Sequence, residues 1–124
     1  MPVVVHAADA PKMQAPGLEF TVQAAPSLGS PSVCTWRLRV DPGFQVDAPH
    51  TLDADEIFVI LSGTVQVTPD GEKLTPGDSV IVPAGEPIGI TNLGEGHAEI
   101  QVVITAGFTG TMADGTTVQP PWSR

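Results

Sequence analysis

Apolar and polar positions alternate one by one along much of this chain, in short runs cut by glycine and proline. Ser32–Val40 sets Cys34, Trp36, Leu38 and Val40 on one face and Val33, Thr35, Arg37 and Arg39 on the other, the period of a half-buried β-strand. Ala98–Thr105 repeats the pattern with Ile100, Val102 and Ile104, and Thr64–Thr68 with Val65 and Val67. Glu56–Leu61 is apolar on both faces apart from Glu56 itself, as in a strand covered on both sides. Leu18–Gln23, Ser79–Val82 and Ile88–Asn92 add shorter strands.

Between the runs lie turn sequences: AAPSLGSPS, Asp41-Pro42-Gly43, Pro69-Asp70-Gly71, Thr75–Asp78, Pro83-Ala84-Gly85, Leu93–Gly96 and Asp114-Gly115. The longest stretch free of Gly and Pro is the thirteen residues His50–Ser62, and it ends in the strand-preferring run Ile57–Leu61, so long helices are excluded. Roughly nine or more short strands, with turns about every eight to twelve residues, predict an all-β sandwich, barrel or jelly roll. Residues 1–17, with three prolines and a glycine, read as an extended arm; 18–124 read as one domain with a short C-terminal tail.

Composition narrows the partners. The net charge is −9 with only five Lys plus Arg, a surface that repels phosphate backbones and anionic lipids, so neither nucleic acid nor membrane is expected. The single cysteine, Cys34, excludes an intrachain disulfide and lies in an alternating run, where a buried inert thiol is expected. The N-terminal MPVVVHAADA lacks the basic region and apolar length of a signal peptide, and IFVIL is too short to span a membrane, so a cytoplasmic location is expected.

Two stretches carry the candidate chemistry. Gly43–Gly63 (GFQVDAPHTLDADEIFVILSG) holds His50, then Glu56 six residues later, then a closing glycine. Gly77–Asn92 (GDSVIVPAGEPIGITN) holds Gly77, Pro83, Gly85 and Asn92. Together they resemble the paired motifs of the cupin superfamily. The first family motif is a glycine, a His-x-His pair, a glutamate and a glycine; the second is a glycine, Pro-x-Gly, a histidine and an asparagine. The gap from Gly43 to His50 is one residue longer than usual. The resemblance spans roughly Val33 to Thr105. It implies a cupin-type double-stranded β-helix, a jelly-roll barrel of six to eight strands, and a homodimer in which the N-terminal arm pairs with the partner's sheet edge.

In the family, the two histidines and glutamate of the first motif and the histidine of the second bind one divalent metal. Here Leu52 and Ile88 stand where two of those histidines belong, and neither side chain can donate an electron pair. His50 and Glu56 alone leave most of a coordination shell to water, so no cofactor is expected. His97 in its GEGH turn, His6 on the arm, and the loop carboxylates Asp47 and Asp53 are expected to be solvated; Gln101 is the other inward candidate.

The same two substitutions turn a ligand cradle into an apolar pocket. Its expected lining is Trp36, Leu52, Phe58, Ile60, Ile88, Ile90 and Gln101, with Glu56 and His50 as the catalytic pair. Desolvation should raise the pKa of Glu56, and a nearby His50 should lower it again. Arg37 and Arg39 are expected on a solvated outer face, and Phe44 and Trp122 over apolar surface. Gly77, Pro83, Gly85 and Asn92 read as turn and register residues, and Met112 carries no signal. The expected function is a metal-independent isomerase, cyclase or lyase using acid–base chemistry on a small, largely apolar molecule. The alternatives are a ligand-binding or sensing protein without turnover, and a metal-dependent oxygenase whose shell at His50 and Glu56 is completed by water.

Overall fold

The computed structural model describes residues 1–46 and 48–124. Eleven strands and two short 3-10 turns are present among them, and no α-helix. A six-stranded sheet runs in the order β1-β2-β3-β9-β5-β7, from β1 (Lys12–Ala15), β2 (Leu18–Ala24), β3 (Val33–Val40), β9 (Ala98–Thr105), β5 (Glu56–Ser62) and β7 (Ser79–Val82). Every pairing in it is antiparallel. Opposite it lie a three-stranded sheet, β11 (Thr117–Val118), β10 (Gly110–Thr111) and β4 (Thr51–Leu52), and a two-stranded one, β6 (Val65–Gln66) and β8 (Thr91–Asn92). The inner faces share one hydrophobic core.

The alternation read from sequence is the alternation of burial. In β3, Cys34, Trp36, Leu38 and Val40 are buried while Val33, Arg37 and Arg39 are exposed. In β9, Ala98, Ile100, Val102 and Ile104 are buried, and they face Val40, Leu38, Trp36 and Cys34 in register. Among the described residues the largest fully buried side chains are Ile60, Ile100, Val40, Val65, Val67, Val82, Val102 and Cys34, all of them without an aromatic ring. Cys34 is buried as expected, and desolvation raises its thiol pKa.

Within the arm, Lys12–Ala15 pairs with Leu18–Thr21 of its own chain through a tight turn at Pro16-Gly17, and this β1 is the outer strand of the six-stranded sheet. Gly17 sits at φ 77°, a conformation costly for other residues, and a Cβ there would collide with the Phe44 ring.

Asn92 shows how a turn residue can tie a barrel together. It is buried, and its side-chain amide donates to the carbonyls of Val40, Asp41 and Gly96 at 3.3, 3.1 and 3.0 Å, while its oxygen accepts from the Gly94 N–H at 2.9 Å. One side chain thus joins the end of β3 to the turn leading into β9. Asn92→Ala would leave those groups without their partner. The expected loss is about 2 to 4 kcal/mol of folding stability by urea denaturation; a loss under about 0.5 kcal/mol would show that water replaces the amide freely.

Candidate functional site

One end of the barrel is open around a cavity of about 600 Å³, within the range of small-molecule sites. Local pairing sets its polar groups. His50 and Ile88 face each other across an antiparallel bridge: the His50 N–H donates to the Ile88 carbonyl at 3.1 Å, and the Ile88 N–H to the His50 carbonyl at 2.8 Å. Directly opposed residues project to the same side, and Leu52, two residues on from His50, projects there too. All three line the cavity. β5 crosses between β9 and β7, with Glu56 opposite Ile104 and Val82, and it turns Glu56 and Phe58 into the same space.

The rim is held by two aspartates beside these residues. Asp53 accepts from the Thr109 N–H at 2.7 Å and Asp55 from the Ala84 N–H at 2.9 Å. Asp53 is therefore exposed but engaged in structure. Asp47 lies outside the described residues.

Glu56 is only 5% exposed. Burial pushes its carboxyl pKa up to about 8. Desolvation is the whole cause; the compensating pull expected from His50 is absent. Burial moves His50 the other way, lowering its imidazole pKa. Near neutral pH both groups are thus uncharged, the acid holding its proton and the base free to take one.

Of the expected lining residues, Trp36, Leu52, Phe58, Ile88 and Ile90 border the cavity with His50 and Glu56. Ile60 and Gln101 do not. Ile60 shares the face of Phe58 but lies two residues further along β5, roughly 7 Å deeper, inside the packed end. Gln101 points from the opposite face of β9, where its amide donates to Gln23 and Thr35. Arg37 and Arg39 are exposed on that outer face, and His6 and His97 are exposed, His97 lying 3.3 Å from Asp41.

Sequence reading missed the wall built by the C-terminal segment. Met112, Thr116, Val118 and residues 120–122 all border the cavity. Trp122 stacks on Phe20 with ring centroids 3.7 Å apart and planes within 11°. The segment is pinned by Ser27, whose hydroxyl donates to the Arg124 carbonyl at 2.7 Å, and by the Cys34 thiol, which donates to the Ser123 carbonyl at 3.5 Å. These contacts join residues about a hundred positions apart, which local pattern does not report; the sole local signal was a Trp after two prolines in a polar tail.

The donor set does not fit a resident metal. Leu52 and Ile88 occupy cavity positions without a lone pair to offer, and among the described residues no three His, Cys, Asp or Glu side chains gather.

The pKa shifts set a pH dependence of stability. Glu56 has a folded pKa above its ordinary value of 4.5, so the folded state holds the proton more tightly. The stability from that proton is fully present below about 4.5 and is lost as pH rises through about 8. Glu56→Gln removes this loss. The stability of the variant relative to wild type should therefore rise by roughly 3 to 5 kcal/mol between about pH 5 and about pH 9 in paired urea denaturations. A difference that stays level across that range contradicts the buried, neutral carboxyl.

Comparisons with known proteins bear on the fold. A family model described as Cupin domain matches residues 36–105. The polyketide cyclase RemF from Streptomyces resistomycificus superposes with a TM-score of 0.71 at 23% identity, covering 85% of this chain and 80% of that one. KdgF from Halomonas sp. gives 0.69 at 17% identity, covering 85% and 94%. A sugar phosphate isomerase from a cupin superfamily, from Silicibacter pomeroyi, gives 0.66 at 22% identity, covering 87% and 80%. Among curated protein sequences none matches the chain. At these identities the solved structures speak to the all-β cupin barrel alone.

Proposed function

The chain belongs to the cupin family, and on that premise we propose that it is a metal-independent acid–base enzyme acting on a small, uncharged, largely apolar molecule within the barrel, by isomerisation, cyclisation or elimination. The observation that carries this reading is Glu56: a carboxyl buried in an apolar cavity, uncharged near neutral pH, in the same space as a neutral imidazole. Such a carboxyl costs stability wherever no partner or ligand uses it.

The chemistry follows from the protonation states. Glu56 donates its proton to a substrate carbonyl oxygen as the His50 imidazole removes a proton from the adjacent carbon. The C–H electron pair becomes the new C=C bond, the carbonyl π pair takes the Glu56 proton, and an enol results. Return of a proton at a different carbon gives an isomer; attack of the enol on a second carbonyl closes a ring; loss of a β-hydroxyl as water gives an alkene. The apolar wall excludes bulk water and strengthens the hydrogen bond from Glu56 to the oxygen where charge develops. Leu52 and Ile88 supply that wall.

Relatives of this fold add limited support: a polyketide cyclase and a sugar phosphate isomerase are among the similar structures. The cavity departs from what a sugar phosphate needs, since no Lys or Arg borders it among the described residues.

Hydrogen–deuterium exchange at the carbon next to the carbonyl of 1-tetralone, followed by proton NMR in deuterated buffer, tests the proton transfer without knowledge of the natural substrate. The wild-type protein should accelerate exchange. Glu56→Gln and His50→Ala should each lower the catalysed rate by about 100-fold or more while 1-tetralone affinity changes by less than about threefold. Unaccelerated exchange in the wild type would leave a binding protein without turnover, and full activity in both variants would remove Glu56 and His50 from the reaction.

A further inference from the structure

The chain has six aromatic residues, four Phe and two Trp and no Tyr, and five of them border the one cavity described above: Phe20, Trp36, Phe58, Phe108 and Trp122. The sixth, Phe44, packs against Gly17. The five come from β2, β3, β5, the segment after β9 and the C-terminal turn, so neighbourhood in sequence does not explain their gathering.

Core packing accounts for part of it, since Phe20, Trp36, Phe58 and Phe108 are also buried in the hydrophobic core. The largest fully buried side chains among the described residues are aliphatic, Ile60, Ile100, Val40, Val65, Val67, Val82 and Val102, and of these Val102 alone borders the cavity. Aliphatic residues line the cavity too, among them Leu38, Leu52, Ile88 and Ile90, but five of the chain's six aromatic rings are there and none is among those fully buried side chains. The rings also sit in two faced arrangements, Phe20 stacked on Trp122 and Trp36 tilted 36° to Phe108 with centroids 6.3 Å apart. Aromatic rings prefer offset-stacked or edge-to-face partners with centroids about 4.5 to 7 Å apart; the Trp36–Phe108 pair lies in that range, the Phe20–Trp122 pair is closer, and a further ring can extend either.

Charge narrows the class. Among the described residues none of the five Lys and Arg side chains borders the cavity, and Arg37 and Arg39 stand on the outer sheet face. An anion would enter an apolar space with no cation to pair with, at a large desolvation cost. A volume of about 600 Å³ holds roughly 20 non-hydrogen atoms if each takes about the 30 Å³ of a liquid water.

We propose that the cavity selects an uncharged, planar aromatic compound of two or three fused rings carrying a hydroxyl or carbonyl group, the rings lying against Trp36, Phe108, Phe20 and Trp122 and the oxygen directed to Glu56. This names the substrate class of the site and rests on the reading of that cavity as the reaction chamber, but ring selectivity is a property of binding and is measured apart from turnover.

Isothermal titration calorimetry of the full chain at neutral pH with three probes of matched size provides the test. 2-Naphthol carries the ring and a hydroxyl, 2-decalol the hydroxyl on a saturated frame, and 2-naphthoate the ring with a negative charge. 2-Naphthol should bind at least about tenfold tighter than either of the others. Trp122→Leu should weaken 2-naphthol by about tenfold and 2-decalol by less than about threefold. Equal affinity for 2-decalol, preference for 2-naphthoate, or failure of all three to bind the wild type overturns the proposal whether or not the variant folds. Ring selectivity without catalysed exchange of 1-tetralone would remove the enzymatic reading and leave this one; exchange without ring selectivity would do the reverse.

Discussion

Glu56 opens β5 with its carboxyl turned into an apolar barrel, and holding it there ionised would need a cation that the surrounding wall does not provide. The side chain therefore keeps its proton up to about pH 8. That single constraint organises the site. It makes the cavity neutral and gives it a proton donor. In the proposed reaction His50, held across from Ile88 and shifted toward its own neutral form, is the complementary acceptor. A metal in the same place would favour an ionised carboxylate instead; Leu52 and Ile88, which carry no donor atom, and the raised pKa of Glu56 point the same way.

The barrel is arranged to hold this group still. Glu56 is paired on both sides, to Ile104 of β9 and Val82 of β7, in the six-stranded sheet. Asp53 and Asp55 tie down the loop before it, and Asn92 ties the turn before β9 to the end of β3. Beyond Phe58 the interior is packed with aliphatic residues, so the cavity ends where the close packing begins. Rigid surroundings of this kind keep a carboxyl from relaxing toward water, which would otherwise erase its shift.

Much of this was legible in the chain. Alternation in β3 and β9 gave their faces and, with the two motifs, the barrel; the spacing of His50, Leu52, Glu56 and Ile88 placed all four on the cavity. Alternation fixes which face a side chain takes and not how deep it lies, so Ile60 was expected at the cavity and sits beneath it. Gln101 was read inward although its neighbours Ile100 and Val102 already occupied that face. Strands β4, β10 and β11 are two residues each, too short to carry a period. The wall containing Trp122 depends on contacts with Ser27, Cys34 and Phe20, pairings that only the folded chain brings together. Within the arm, β1 joins its own sheet because Pro16-Gly17 reverses the chain within two residues.

The measurement that bears most directly on all of this is the titration of Glu56 itself. Carbon-13 labelling of glutamate side-chain carboxyls gives resonances for the chain's six glutamates, and each can be followed with pH by NMR. One of them, absent from the Glu56→Gln protein, is expected to titrate near 8. If that resonance instead titrates with an ordinary exposed glutamate, at about 4 to 5, Glu56 is charged at neutral pH, the cavity is not the neutral chamber described here, and the acid–base chemistry assigned to it fails.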